Sequence, residues 1–194
     1  MGPRGAMRER RGARSIFDTI LSELQAAVAE VAPEQVEALA AAVVAAGRVF
    51  VAGSGRTGWI SRAFAVRLSQ LGKAAHCVGD ATTPAAGRGD LCLVNSASGE
   101  TPTMVTLAER AATAGAKVAT VTADGESRIA ALADLAVVIP PGSKGGAGAL
   151  ATRQPVGSQF EQALLVVLEA VVMLVGQASG VGQEAMNGRH ANLE

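Results

Sequence analysis

Apolar positions along the chain follow two different periods, and these periods predict the secondary structure. From Ser15 to Val31, apolar residues recur at the three- and four-residue spacing of a helix, and a second helical stretch runs from Pro33 to about Ala46. Short apolar runs typical of strands then alternate with further helical stripes. The pattern predicts two leading helices followed by an alternating α/β region.

The alternating region contains five predicted strands. They are Arg48 to Ala52, Ala75 to Val78, Leu91 to Val94, Lys117 to Thr122 and Leu135 to Ile139. The predicted helices between them are Thr57 to Leu71, Pro102 to Ala114 and Ser127 to Ala133, with a turn-rich stretch from Gly79 to Asp90. Strands joined through helices pair in parallel by right-handed crossovers. The predicted fold is therefore α/β, a three-layer αβα sandwich around a five-stranded parallel sheet.

The segments outside this region differ in character. Residues 1–14 hold five arginines and one glutamate, which predicts a disordered basic arm, and residues 15–194 are predicted to form a single domain. Lys144 to Gly157 is a predicted Gly-rich loop, and a long helix is predicted from Ser158 onward. Because this helix is apolar nearly all round, it must be buried, and a subunit partner is the natural candidate. Gln183 to Glu194 predicts a polar final helix or tail.

The composition narrows the class of protein. Hydrophobic residues make up 49% of the chain, with 23 glycines and no tyrosine, which suits strands buried on both faces. Cys77 and Cys92 lie in predicted strands without metal-ligand spacing, so reduced thiols and no metal are expected. The longest apolar run, Ala163 to Val175, is interrupted by Glu169 and is too short to cross a bilayer, and the N-terminus lacks the apolar region of a signal peptide. We expect a cytoplasmic protein without a nucleic-acid or membrane partner.

A strand, a turn and a helix follow one another from Leu91 to Thr103, LCLVNSASGETPT. Such a junction directs backbone N–H groups and the positive end of a helix dipole at one point, and Ser96, Ser98 and Thr101 add hydroxyl donors. This arrangement predicts an anion site, with phosphate as the leading candidate. Alternatively, Thr101 only caps a helix that has Pro102 at its first position, and the serines are ordinary turn residues.

The segment Gly53 to Gly58, GSGRTG, fits the G-x-G-x-x-G pattern of dinucleotide-binding proteins, with Asp80 at a suitable distance beyond it. Against that interpretation, Arg56 stands inside the loop, a second phosphate-type turn follows, and no substrate domain remains after the sheet. We favour a loop packed beside the second turn, in which Arg56 holds a phosphate or sugar oxygen. A solvated arginine on a turn is the alternative.

Two further candidates each have a plain explanation. Glu161 stands three residues after Ser158, the S-x-x-E spacing of a helix capping box, which by itself explains both residues. His190 lies in a polar tail, where a lone histidine is usually solvated, and His76 next to Cys77 in a strand is expected to be structural.

Taken together, five segments resemble one family. They are GSGRTG, SASGET (Ser96 to Thr101), GDATTPA (Gly79 to Ala85), GSQFEQ (Gly157 to Gln162) and the terminal RHANLE (Arg189 to Glu194). In this order they resemble the 6-phospho-3-hexuloisomerases, which are members of the sugar isomerase (SIS) domain superfamily with a flavodoxin-like fold. The resemblance implies isomerisation of 3-hexulose 6-phosphate to fructose 6-phosphate, a step of formaldehyde fixation through ribulose monophosphate, without a metal or redox cofactor.

The resemblance also implies roles for individual residues. Glu161 would be the proton acceptor, and His190 would be delivered across a subunit boundary of a homotetramer. The substrate would be bound by Ser54, Arg56, Ser96, Ala97, Ser98, Gly99, Glu100 and Thr101. A hexulose phosphate synthase is a conceivable pathway partner. The rival functions are isomerisation of an arabinose or heptose phosphate and non-catalytic sensing of a sugar phosphate.

This sequence departs from the family pattern at a few positions. Ala97 replaces the more usual glycine between the two serines, Asn95 precedes them, and Asp80 and Ala81 stand where glutamate and threonine are common. Ala97 matters most, because its Cβ limits the geometry of the turn. These departures bear on substrate fit and leave the predicted fold unchanged.

Overall fold

The chain begins with the two helices that the sequence predicts. The computed structural model describes residues 12–140 and 152–193. Helix α1 spans Ala13–Ala29, and α2 spans Pro33–Ala45 with its proline at the start, where no helical N–H is needed. Residues 13 and 14, predicted to belong to the arm, are already helical, and most of that arm lies outside the described residues.

Five parallel strands form the sheet, so the predicted fold is confirmed. They are β1 (Arg48–Gly53), β2 (Ala74–Cys77), β3 (Leu91–Asn95), β4 (Lys117–Thr122) and β5 (Leu135–Val138), in the spatial order β2-β1-β3-β4-β5. This is the flavodoxin-like order. From β1 the chain adds β2 on one side and then β3, β4 and β5 on the other, so the order in which strands are added reverses between β1 and β3. Ligands of such sheets bind at the carboxyl ends of the strands beside this reversal.

Helices cover the two faces of the sheet unequally. One face packs against α1, α2, α3 (Gly55–Gln70) and α6 (Ser158–Ser179) through the larger apolar cluster. The other face packs against α4 (Pro102–Thr113) and α5 (Arg128–Leu132) through a smaller cluster around Phe50, Cys92 and Val94. Strand residues therefore have apolar neighbours on both sides, which explains their continuous hydrophobic runs.

Helix α6 is a central packing element of the larger cluster. It is 22 residues long, and an 18-residue stretch of it has a mean hydropathy of 1.8, so the expectation that this segment is too short to cross a bilayer is wrong on length and composition. It nevertheless packs against α1, α2 and α3, as the core helix of a globular domain does. Among its residues, Leu165, Val166 and Met173 are exposed.

The last described segment is short and polar. Helix α7 spans Gln183–Asn187, and residues 188–193 follow it as turns and irregular chain. The predicted loop from Lys144 to Gly157 lies outside the described residues up to residue 151. Its remaining part, residues 152–157, forms bends and turns that lead into α6.

Candidate active site

Two turns lie side by side at the carboxyl edge of the sheet. Gly53, the last residue of β1, is paired in register with Asn95, the last residue of β3. Neighbouring strands are about 4.8 Å apart, so the residues that follow, Ser54 and Ser96, begin adjacent turns. Both turns flank the point at which the strand order reverses, where the fold is expected to bind a ligand.

The turn from Ser96 to Thr101 is held by hydrogen bonds among its own residues. The N–H of Gly99 donates to the side chain of Ser96 at 3.2 Å, and the Ser96 and Thr101 hydroxyls are 3.3 Å apart. Within the described chain, the N–H groups of Ala97, Ser98 and Thr101 donate no hydrogen bond. The turn therefore offers free N–H donors and hydroxyls beside the start of α4, as an anion site requires.

Thr101 does not act as the side-chain cap that the sequence suggested. It occupies the N-cap position of α4, with Pro102 in the first helical turn as predicted, but its side chain makes no capping hydrogen bond. Its hydroxyl instead faces Ser96. A simple capping role therefore explains why Thr101 stands at the N-cap position, but it does not explain why its hydroxyl faces Ser96.

Two other residues of the turn are fixed by their neighbours. Gly99 is buried with φ +62°, and a Cβ there would overlap the side chain of Ser127, so only glycine fits. Ala97 accepts a hydrogen bond from the N–H of Ala123 and packs against the larger apolar cluster. The alanine that departs from the family pattern is thus accommodated in the core.

Glu100 does not direct its carboxylate into the turn. Its Oε1 accepts a hydrogen bond at 2.8 Å from the N–H of Arg128, the first residue of α5. A carboxylate is favourable at a helix start and would repel a bound phosphate. In this structure, the Glu100 carboxylate is therefore not the group that would contact the substrate. The substrate-binding role of Glu100 stays a prediction.

Asn95 joins three elements beneath the turn. It is fully buried; its Nδ2 donates to the hydroxyl of Ser61 on α3 at 2.9 Å, and its Oδ1 accepts from the N–H of Val121 on β4 at 3.1 Å. Asn95 therefore supports the turn by joining β3 to α3 and β4. The residue that departs from the family pattern here has a structural role.

Glu161 lies in the first turns of α6, but the predicted capping box is wrong. The N-cap is Gly157, with φ +85°, and Ser158 is a buried helical residue whose N–H donates to the carbonyl of Pro155. The helix starts one residue earlier than the capping box needs, because the left-handed Gly157 makes the entry turn. The Glu161 side chain, only 13% exposed, is free of a capping role.

Arg56 pairs with Glu161 from the start of α3, directly after the turn that contains Ser54. Its Nε lies 2.8 Å from Oε2 of Glu161, while the arginine side chain is 68% exposed. The contact is an ion pair without a well-aligned hydrogen bond, because Oε2 is buried and has no hydrogen-bond donor among the described residues. Helix α3 begins at Gly55, two residues before the predicted start, so Arg56 stands in its first turn and is not a loop residue.

His190 lies far from this cluster within its own chain. The neighbouring Arg189 donates to the carbonyl of Gln70 at 3.1 Å, which ties the tail to the end of α3. Arg56 is at the other end of that helix, about 20 Å away at roughly 1.5 Å per residue. His190 is exposed, and the structure does not bring it to Glu161 of the same chain.

The GSGRTG glycines have a packing role. A Cβ on Gly58 would lie 2.5 Å from the carbonyl oxygen of Gly53, so these glycines let α3 approach β1 closely. Asp80, the acid expected of a dinucleotide-binding protein, is paired with Arg62 through both of its oxygens, which lowers the pKa of Asp80. The pattern thus reflects helix–strand packing, and the acid is already occupied.

Metal-ligating residues do not cluster in the described part of the chain. No group of three or more His, Cys, Asp or Glu side chains is close enough there to hold an ion. Cys77 and Cys92 are free thiols, and burial raises the pKa of Cys92 to about 11. The predicted absence of a metal and of a cofactor stays a prediction.

Sequence reasoning missed a set of polar residues behind Glu161. Glu23 on α1 accepts hydrogen bonds from Thr152, Arg153 and Gln154, and Gln162 donates to Gln154. The only signal in the sequence was that Glu23 stands beside the apolar stripe of an amphipathic helix. Such a position is common for a charged residue and does not by itself indicate a function. Its partners lie far away in sequence.

Comparison with known proteins identifies the family to which this chain belongs. The model of the SIS domain family matches residues 42–166. Two curated relatives are each named 3-hexulose-6-phosphate isomerase: one from Mycobacterium gastri, 46% identical over 90% of this chain and 88% of its own, and one from Bacillus subtilis, 38% identical over 90% and 95%. The chain belongs to the SIS domain family and, within it, to the 3-hexulose-6-phosphate isomerases, the enzymes also called 6-phospho-3-hexuloisomerases.

A solved structure supports the fold independently. A protein from Methanococcus jannaschii, described as a hypothetical protein whose structure infers a 3-hexulose-6-phosphate isomerase function, superposes with a TM-score of 0.80. The match covers 93% of this chain and 99% of that chain at 24% identity. At that identity the likeness shows the shared fold.

Proposed function

We propose that this protein isomerises 3-hexulose 6-phosphate to fructose 6-phosphate. The proposal draws on the names of its relatives and, from the structure, on one observation: the Glu161 carboxylate pairs with Arg56, which follows Ser54 in the first turn of α3. A largely buried carboxylate next to a turn that can bind an anion is the combination that proton transfer on a phosphorylated sugar needs.

The substrate phosphate binds at the turn from Ser96 to Thr101. The hydroxyls of Ser96, Ser98 and Thr101 and the free N–H groups of the turn surround it, and the start of α4 adds the positive end of a helix dipole. Ser54, exposed at the start of α3, lies within the adjacent turn. Holding the phosphate here fixes the reacting carbons relative to Glu161.

Glu161 is the base that moves the proton. Its carboxylate takes the proton from C2, the C2–H electrons form the C2–C3 double bond, and the C3 carbonyl oxygen takes a proton from water to give an enediol. The C2 hydroxyl then returns a proton to water, the C2 carbonyl forms, and Glu161 returns its proton to C3. One carboxylate therefore serves both half-reactions, and the sequence of steps needs no redox change.

Arg56 has a double role in this scheme. It pairs with Glu161, and its largely exposed guanidinium retains further N–H donors for a phosphate or a sugar oxygen. It thereby draws the sugar toward the carboxylate.

The complete site contains a second subunit. His190 is about 20 Å from the Glu161 pair within one chain, estimated from the length of α3, so a catalytic His190 has to come from a neighbour. An apolar groove of about 240 Å³ between α2 and α6, lined in part by Val36, Val166 and Leu174, provides surface for such an association. We propose a homotetramer that acts in the cytoplasm after a hexulose phosphate synthase in formaldehyde fixation.

A coupled assay tests the reaction directly. A synthase produces 3-hexulose 6-phosphate from formaldehyde and ribulose 5-phosphate, and fructose 6-phosphate formation is followed after this protein is added. Rapid turnover is expected. If substrate binds without turnover, the protein is a sugar-phosphate sensor, and if arabinose or heptose phosphates turn over faster, it is a different isomerase of the SIS family.

A further inference from the structure

Glu23 on α1 is a partly buried carboxylate whose hydrogen-bond donors all come from the segment before α6. Its Oε2 accepts from the Thr152 hydroxyl at 2.7 Å and from Nε2 of Gln154 at 3.0 Å, and its Oε1 accepts from the N–H of Arg153 at 3.1 Å. Three charge-assisted bonds to one short segment hold that segment against α1. Helix α1 lies outside the stretch matched by the SIS model, residues 42–166.

The same contacts continue into the first turns of α6. Gln162 donates from Nε2 to Oε1 of Gln154 at 2.7 Å, and Gln159 donates from Nε2 to the backbone carbonyl of Glu23 at 3.1 Å. Gln159, two residues before Glu161, is thus tied to α1 directly, and Gln162, one residue after it, is tied to α1 through Gln154. A side chain far from the two turns fixes the start of the helix that carries the base.

Core packing through Phe160, Ala163 and Leu164 fixes the body of α6, but the Glu161 carboxylate itself has only one close partner among the described residues. Its partner Arg56 is 68% exposed, and the ion pair lacks an aligned hydrogen bond. The entry residue Gly157 adopts φ +85°, a conformation that glycine adopts without strain. The position of the carboxylate is therefore set by where α6 begins, and an error of about 1 Å in such a position can cost about 100-fold in rate.

We propose that Glu23 is a positioning residue for the isomerisation: it anchors residues 152–154 and, through Gln154 and Gln162, holds Glu161 at the reacting carbons. This inference rests on the proposed function, in which Glu161 is the base. It assigns a role in the reaction to the first helix of the chain, which contributes no residue to the two turns.

The first test separates catalysis from binding. Glu23→Ala removes all three bonds, and we expect kcat to fall about 10- to 100-fold while KM stays within about threefold, because the phosphate turn is untouched. Glu23→Gln keeps one acceptor oxygen and should be intermediate. Glu30→Ala, at the exposed end of the same helix, is the matched control and should retain parental kcat. An unchanged kcat in Glu23→Ala, or a loss confined to KM, overturns the proposal.

A double-mutant cycle excludes a purely structural effect. If Glu23 acts through Glu161, its substitution has no further effect on kcat once the base is gone, so Glu161→Gln and the double variant Glu23→Ala/Glu161→Gln should turn over equally. Active-site concentration is normalised by the folded fraction from circular dichroism. If the two losses multiply instead, Glu23 does not act through Glu161. Should Glu161→Gln itself retain parental kcat, the proposed base is wrong, an outcome distinct from a failure of Glu23→Ala alone.

Discussion

The phosphate turn and the start of α6 carry the two halves of the proposed site, and they are built in opposite ways. In the turn, Gly99 bonds to Ser96 three residues away. At the start of α6, Glu23 bonds to Thr152, and these two residues are 129 positions apart in the sequence. The turn is therefore largely encoded in one short stretch, whereas the position of Glu161 depends on contacts between distant elements. Substitutions that affect one half and spare the other can test this difference.

The largest expected effect is that of Glu161→Gln. The amide keeps the shape of the side chain but cannot accept the C2 proton, so kcat should fall by about 10²- to 10⁴-fold with KM little changed. The coupled assay measures both constants. Glu169→Gln on the same helix is the matched control, because Glu169 is a more exposed glutamate that also pairs with an arginine, Arg67. A parental rate in Glu161→Gln would mean that another group is the base.

Gly99→Ala should damage the turn and leave the start of α6 intact. An alanine at position 99 would have to adopt φ +62°, and its Cβ would overlap the side chain of Ser127. Together these two effects should lower the free energy of unfolding by about 2–4 kcal/mol. We expect KM for the sugar phosphate to rise at least tenfold, measured alongside unfolding in urea.

Gly89→Ala serves as the control for Gly99→Ala. Gly89 has φ +87° but open space around its Cβ position, so this variant shares the backbone strain and lacks the overlap. It should cost about 1 kcal/mol without a change in KM. Equal KM values in the two variants would contradict phosphate binding at the turn.

Asn95→Ala and Ser96→Ala should separate support from binding within two adjacent residues. Asn95 is fully buried and joins α3 to β4, so its loss should cost about 2–3 kcal/mol of unfolding free energy while KM changes little. Ser96→Ala removes a hydroxyl that faces Thr101 and should raise KM several-fold at a smaller cost in stability. Chemical denaturation and the coupled assay measure the two effects, and a reversed pattern would place the ligand contact at Asn95.

The same difference explains how far the sequence could be interpreted. All five strands, their parallel pairing and the strand–turn–helix unit around Ser96 were predicted correctly, because hydrophobic period and turn chemistry are local properties. The resemblance to the 6-phospho-3-hexuloisomerases was also correct, since several motifs in a fixed order are specific.

Errors arose where a distant partner competes with a local rule. The spacing of Ser158 and Glu161 indicated a capping box, but Gly157 takes the N-cap position and Arg56 pairs with the glutamate. The contact between the Glu100 carboxylate and the start of α5 also had no local signal, and the substrate-binding role of Glu100 stays a prediction. No local pattern distinguishes Glu23 from a solvated acid, because its three donors lie beyond residue 150.

The smallest expected effect concerns the pH dependence of the anchor at Glu23. Burial raises the pKa of Glu23, but hydrogen bonds from Gln154, Thr152 and the Arg153 N–H, with the Arg153 charge, outweigh it and leave the pKa below its ordinary value. A carboxyl with a lowered folded pKa stabilises the protein above its unfolded pKa, about 4.3, and this contribution is lost as pH falls through the folded value.

Parent and Glu23→Gln should therefore differ by no more than about 1 kcal/mol in unfolding free energy at pH 7, and the difference should narrow below about pH 4. Asp80 and Asp90, whose pKa values are lowered by Arg62 and Arg48, titrate in both proteins and cancel in the comparison. Urea unfolding at several pH values measures the difference. If the difference in unfolding free energy between the two proteins stays constant below about pH 4, the charge of Glu23 does not hold the start of α6. The shape of the side chain would then be what holds it.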